Sequence, residues 1–183
     1  MSWKQLSSEE KYRNPWMYIT EDKVETDAGK VLTWGVVHKP PCAMVVPWDG
    51  KQFVLVGLYR YCRDDFSWEF PSGVVDEQNM QEGAKRELKE ESGFEAKTYK
   101  HLGKFYLANG TMDQSMELFV ATDLTEGVAE PDAGEEGIQS KRVTFDELRQ
   151  MINDGTIKDG PTITALGYLY TTGWVSENIG WIV

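Results

Sequence analysis

Cysteine and histidine are nearly absent from this 183-residue chain, which has only Cys42, Cys62, His38 and His101. Two cysteines make no disulfide framework, and so few soft ligands exclude a structural zinc cluster. Basic charge is short as well. Nineteen Lys and Arg stand against thirty Asp and Glu, giving a net charge of −11. That balance argues against a general nucleic-acid or anionic-membrane binder, which needs a basic surface. No run approaches 18 apolar residues, and the opening MSWKQLSSEEKYRN lacks the apolar core of a signal peptide. The expectation is a cytoplasmic protein in a reducing compartment, with neither nucleic acid nor membrane as a partner. The remaining composition, 40% hydrophobic and 27% charged, suits a globular domain with a full core.

Taken in order, the chain reads as β-rich with helices placed late. Residues 1–15 are polar and suggest a flexible arm or a short helix. Trp16–Ile19 and Val31–Val37 are rich in β-formers, and Thr26–Lys30 between them is turn chemistry, so an antiparallel strand pair is expected. Pro40-Pro41 marks a boundary between an N-terminal segment, 1–39, and a main domain, 40–183. Cys42–Pro47 and Gln52–Tyr59 are strands joined by a hairpin turn at Trp48–Lys51. Phe66–Phe70 is a short strand, and Pro71-Ser72-Gly73 a turn. Later come a strand pair, His101–Ala108 and Met116–Ala121, around a polar loop Asn109–Gln114. An acidic loop over 124–137 leads to a strand at Ile138–Val143. Thr144 with Glu147 makes a capping box for a helix ending at Gly155, and Pro161 opens a last helix to about Thr171. The apolar tail WVSENIGWIV is expected to dock on the body.

One helix differs in kind. Asn79 is a good N-cap with Glu82 three residues on, Ala84 and Leu88 form an inward stripe, and Gly93 suits the C-terminal stop. Glu87, Glu90 and Glu91 fall at i, i+3 and i+4 and share one face. Neighbours at that spacing have Cβ atoms roughly 5–6 Å apart, and like charges there repel. Such a face is either a solvated surface, with Lys85, Arg86 and Lys89 as partners, or a seat for a hard divalent cation. Mg2+ is held by one or two carboxylates together with waters and phosphate oxygens.

The order of residues favours the cation. Gly73 followed by Arg86-Glu87-Leu88-Lys89-Glu90-Glu91-Ser92-Gly93-Phe94 resembles the Nudix box, G-x5-E-x7-R-E-U-x-E-E-x-G-U, where U is bulky and apolar. The second half matches throughout. The first half departs: twelve residues rather than thirteen separate Gly73 from Arg86, and Gln78 or Asn79, with Glu77 nearby, stands where the first glutamate belongs. Tyr59-Arg60-Tyr61 before Trp68–Gly73, and Asp159–Leu166, are similar to segments of the ADP-ribose and nucleoside-diphosphate-sugar pyrophosphatase subgroup.

The resemblance implies a Nudix-type α/β/α sandwich with a mixed β-sheet core and a small N-terminal antiparallel β segment. It implies a Mg2+-dependent hydrolase (Mn2+ being the other candidate ion) that cleaves the diphosphate of ADP-ribose or a related sugar nucleotide to a nucleoside monophosphate and a sugar phosphate. Glu87 and Glu91 become the main metal ligands, Glu90 a ligand of a further ion, and the Ser72 carbonyl an additional one. Glu135 and Glu136, in the late acidic loop, are candidates for the catalytic base, with Glu136 the better match; the alternative for both is a solvated loop charge. Arg60 would contact the diphosphate, since a guanidinium forks well onto phosphate, or else be a surface arginine. Glu69 would position the substrate or Arg60, Trp68 and Phe70 belong to the core, and Arg86 would steady the glutamates.

The loop with Asn109, Gly110 and Met112 takes the place of a sugar-contacting loop. Trp16, Tyr18 and Trp34 either pack within a sheet or dimer contact, or offer a stacking surface for a base. The subgroup is usually homodimeric, its N-terminal segments completing the partner's site, so residues 1–39 would serve dimerisation and base binding. Two other readings stand beside this one. They are a Nudix hydrolase of nucleoside triphosphates or dinucleoside polyphosphates, and a non-catalytic nucleotide-sugar binding module.

Overall fold

The computed structural model describes residues 2–75, 79–132 and 134–180. Its contacts divide the chain into two compact units, Met1–Pro41 with Phe105–Met116, and Cys42–Lys104 with Glu117–Val183.

The first unit is built on three antiparallel strands in sequence order, β1 (Lys4–Asn14), β2 (Met17–Glu25) and β3 (Val31–His38). The polar N-terminus is therefore a strand, and neither an arm nor a helix. Its residues are exposed almost throughout, so it lacks the period-2 apolar pattern that marks a strand in sequence. Backbone pairing to β2 holds it instead, with irregularities at Gln5/Ser7 and Glu10/Tyr12. Asn14 closes the first hairpin by accepting the N–H groups of Trp16 and Met17, each at 2.9 Å. The expected pair β2–β3 is present, turned at Gly29 with φ +77. Loop residues of the same unit add to β3. Val37 N–H donates to Thr111 O, and the Asp113 N–H to Val37 O.

In the second unit, β4 (Cys42–Pro47), β5 (Phe53–Arg60), β6 (Asp65–Glu69), β7 (Ser72–Val74), α1 (Met80–Ser92), β8 (Phe94–Tyr106), β9 (Ser115–Glu126), β10 (Gln139–Val143), α2 (Phe145–Asn153), α3 (Gly160–Thr171) and α4 (Trp174–Asn178) follow in order. The tips of β8 and β9 belong to the first unit. One sheet runs β7-β4-β9-β8 and the other β10-β5-β6. Ala43 and Val45 of β4, Val54 of β5, Phe119 and Ala121 pack with Ala84 and Leu88 of α1 in one core. On the other face of β5, Phe53 meets Phe70, Phe145 of α2 and Trp174 of α4. Adjacent residues of β5 thus point into two helical layers, because strand side chains alternate. The α/β/α sandwich expected from the sequence is the one observed.

Several local expectations are corrected. The turn expected at Trp48–Lys51 is present, closed by an antiparallel Trp48–Phe53 bridge and by the Asp49 N–H donating to Gln52 O at 3.1 Å, but β4 and β5 then run in different sheets. Asp49 makes the corner, accepting from Lys51 and Gln52 N–H at 2.9 and 2.7 Å. Ser72-Gly73 is strand, pairing antiparallel with Met44 and Ala43. Asn79 caps α1 through the Gln81 N–H, while Glu82 reaches forward to Lys85 rather than back to the cap. The Thr144–Glu147 capping box is present in full. A further short helix, α4, docks the tail through buried Trp174 and Val175.

Candidate active site

α1 presents its carboxylates to β7. Glu87 and Glu91 are only 6% and 2% exposed. Glu91 Oε2 accepts the Ser72 N–H at 2.9 Å. The Glu87 carboxylate lies over the Gly73 backbone, so closely that a Cβ there would come within 2.3 Å of Oε2. A glycine is needed at this point of the strand for proximity, since Gly73 is not among the glycines with positive φ. Arg86 reaches both neighbours, Glu87 Oε1 and Glu90 Oε2 each at 2.9 Å, and donates to Val74 O at 3.0 Å. It steadies the acidic face, as its place beside that face suggests.

Electrostatics follow from this crowding. Burial pushes Glu87 up to about 7, with Glu90 and Glu135 adding to the rise and Arg86 opposing it. Burial pushes Glu91 up to about 9, with Glu135 the next contributor, Glu87 another, and the Ser72 N–H and Arg60 opposing. Glu135 is therefore the late-loop carboxylate that acts on both helix glutamates. Glu136 is exposed.

Arg60 and Glu69 form a two-pronged ion pair from β5 to β6, with Arg60 Nε donating at 2.9 Å and Nη2 to the other oxygen. Glu69 is buried, and its hydrogen bond raises the Arg60 pKa, with Glu91 and Asp159 acting the same way. Asp159 caps α3 through the Thr162 N–H at 2.8 Å, and Thr162 Oγ1 accepts the Phe70 N–H at 3.0 Å. Burial raises the Asp159 pKa, and Glu69 raises it further. Asp159 was legible only as part of a motif. Its closeness to Glu69 follows from the return of α3, whose Thr162 accepts the Phe70 N–H from about ninety residues away. Phe70 is core as expected, whereas Trp68 is half-buried, with Phe66 edge-on and Lys141 over its ring.

The remaining candidates lie in the first unit and separate into two cavities. Trp16 and Tyr18 line one of about 340 Å3, with Arg13, His38, Lys39 and Asp113. There the Tyr18 ring is sandwiched, stacked on His38 at 4.3 Å with the Arg13 guanidinium 4.4 Å from its centroid. His38 Nδ1 meets Asp113 Oδ2 at 2.6 Å. Trp34, Asn109, Gly110 and Met112 line the other, of about 440 Å3. Arg13, His38 and Asp113 carried no signal in the sequence, because the strand register and the return of the loop bring them together.

Among the described residues, no three His, Cys, Asp or Glu side chains already converge as a metal cluster. Glu77 and Gln78, which stand near the first glutamate of the box pattern, lie outside the described residues. The donor chemistry at α1 nonetheless fits a hard divalent cation. It is all oxygen, two carboxylates are buried with raised pKa values, and one of them packs directly on the Gly73 backbone.

Comparison with known proteins bears on the whole chain. The NUDIX domain family matches residues 38–166, and the nucleoside diphosphate sugar hydrolase N-terminal domain family matches residues 3–37. The chain is 28% identical over 153 residues to a CMP-5'-(N-acetyl-N-hydroxy-3-aminopropyl)phosphonate hydrolase from Streptomyces rubellomurinus, covering 82% of this chain and 72% of that protein. It is 32% identical over 134 residues to an ADP-ribose pyrophosphatase from Mycobacterium tuberculosis, covering 72% and 64%. A crystal structure of an ADP compounds hydrolase superposes with a TM-score of 0.86 at 22% identity, covering 99% of this chain and 98% of the other, which bears on the fold alone.

Proposed function

The chain belongs to the NUDIX domain family, and from that premise we propose that it hydrolyses nucleoside-diphosphate sugars, ADP-ribose among them, to a nucleoside monophosphate and a sugar phosphate. The observation that carries this reading is the buried pair Glu87 and Glu91, set against Ser72 and Gly73 with Arg60 acting on Glu91. Two carboxylates at such depth call for a cation, and Mg2+ is the proposed one.

Glu87, Glu91 and the Ser72 carbonyl would hold that ion, with Glu90 holding a further one. When bound, it neutralises diphosphate charge and acidifies water. Arg60, oriented by Glu69, holds the diphosphate through the guanidinium edge that Glu69 leaves free. Arg86 keeps Glu87 and Glu90 aimed. Glu135, which the electrostatics favour over Glu136, accepts the proton of the attacking water as its oxygen bonds to phosphorus. The bridging P–O bond breaks, and its electron pair leaves with the departing phosphate. Trp16 and Trp34, in separate cavities, are the candidate stacking surfaces for the base, whereas Tyr18 has its faces covered by His38 and Arg13 and packs within the sheet. Asn109, Gly110 and Met112 line the cavity of Trp34, offered to the rest of the ligand. Residues 1–39 serve base binding and dimerisation and residues 40–183 the chemistry, in a cytoplasmic homodimer acting on small molecules.

The experiment is turnover of ADP-ribose, GDP-mannose, UDP-glucose and ATP, with and without Mg2+, beside Glu91→Gln. Metal-dependent release of nucleoside monophosphate from sugar nucleotides, lost in the variant, supports the proposal. Binding without turnover of any of them sinks it. Sedimentation at micromolar concentration tests the dimer, and a lone monomer would remove it.

A further inference from the structure

The end of α1 is not finished by its own residues. Gly93 turns out of the helix with φ 76 and its N–H closes on Lys89 O. The last carbonyl groups of any helix have no intrahelical donor. Here Glu90 O accepts the Glu130 N–H at 3.0 Å, and Gly93 O accepts the Gly127 N–H at 2.8 Å. The segment 127–130 therefore lies along the helix end as a strap. Its approach is tight: a Cβ on Gly93 would stand 2.7 Å from Ala129 N and 2.9 Å from Val128 C, both of them backbone. A Cβ on Gly127 would in turn come within 3.1 Å of Gly93 O. Pro131 follows at once and holds Glu130 to extended geometry. Five residues beyond Glu130 stands Glu135.

We propose that Gly93, Gly127 and the Glu130 N–H are positioning residues, which fasten the loop carrying Glu135 to the helix that carries Glu87 and Glu91. The inference rests on the hydrolase reading and adds a cause for the base's placement. Around Glu135 the loop is bonded locally, the Glu135 N–H donating to Asp132 O at 2.8 Å and the Asp132 N–H to Glu135 Oε2 at 3.3 Å, and these bonds do not reach α1. Two backbone bonds at its stem give it a fixed origin on α1. Under the proposal, that origin sets how close Glu135 can come to the helix carboxylates.

The test is a mutant cycle on ADP-ribose turnover. Glu130→Pro removes the donated N–H, and Glu130→Ala, which keeps it, is the reference for the lost side chain. Relative to Glu130→Ala, Glu130→Pro is expected to lower kcat by about tenfold or more, since small misplacements of reacting groups are costly. KM and the Mg2+ half-saturation stay within about threefold, because ground-state binding is untouched. In a Glu135→Gln background the same change lowers kcat by less than about twofold, since the strap then has no base to place. Gly127→Ala, at a glycine without positive φ whose Cβ would stand 3.1 Å from Gly93 O, presses on the strap without removing a donor and repeats the comparison if the proline variant does not fold.

Unchanged kcat in Glu130→Pro, or losses that multiply in full with Glu135→Gln, would overturn the proposal. Wild-type protein that turns over no sugar nucleotide would remove the hydrolase reading and this inference together. Active wild type with an unaffected strap variant removes this inference alone.

Discussion

Gly73→Ala isolates the geometry of the proposed site from the stability of the fold. The added methyl would stand 2.3, 2.4 and 2.5 Å from Oε2, Cδ and Oε1 of Glu87. Ordinary contact between non-bonded carbons begins at about 3.5 Å, so the carboxylate must retreat by about 1 Å. The atoms in the way are the end of a side chain, which can turn aside, and the glycine needs no positive φ. Alanine also costs less chain entropy than glycine, which favours the variant by a few tenths of a kcal/mol or more. Global stability should therefore change by less than about 1 kcal/mol. Activity should not be spared. A displacement of about 1 Å in a catalytic group is worth about a hundredfold, or about 2.7 kcal/mol of barrier. Paired thermal melts and kcat/KM across a Mg2+ series read both quantities. Activity within twofold of wild type and an unchanged Mg2+ requirement would refute the placement of Glu87 at the reacting centre.

Other consequences follow from the same contacts. Glu87 and Glu91 hold their protons to about 7 and about 9 in the folded, metal-free protein, against 4.5 as the ordinary value. Between these limits the folded state binds more protons than the unfolded one, so stability falls as pH rises through that window. At about 1.4 kcal/mol per unit the pair represents several kcal/mol, a sizeable share of a domain's usual 5–15 kcal/mol. Chelated protein should accordingly melt lower at pH 9 than at pH 5.5, with Mg2+ recovering most at the higher pH; a Glu91→Gln curve as steep as wild type would contradict this. Thr162→Val leaves the buried Phe70 N–H without its acceptor, at a cost of about 1–3 kcal/mol measured by denaturant titration. Arg60→Lys keeps the charge and loses the fork that grips Glu69, so KM for ADP-ribose should rise by about tenfold while the melting temperature moves little. An unchanged KM would place Arg60 outside the substrate contacts.

What could be read without coordinates was whatever depends on neighbours along the chain. The acidic face of α1, its Asn79 cap and Gly93 stop, and the Thr144–Glu147 box all arise within one or two helical turns, where spacing alone decides who meets whom. The apolar run of β5 likewise announced a strand. Local signals failed where partners are distant. The exposed polar strand β1 has no pattern of its own and exists because β2 offers it an edge. β4 and β5 sit beside a good turn yet join different sheets, since each finds a better partner elsewhere.

The sequence by itself determined the chemistry on offer: three glutamates on one helical face, a glycine ahead of them, and an acidic loop late in the chain. Only the tertiary structure decided which of these groups act together. It buried Glu87 and Glu91 against Ser72 and Gly73, brought Glu135 rather than Glu136 to bear on them, and pinned Glu69-Phe70 to α3 through Thr162. The reason is physical. Identity and spacing are properties of the local backbone, whereas burial and close approach depend on how distant segments pack, and packing sets both the pKa of a carboxylate and the space beside it.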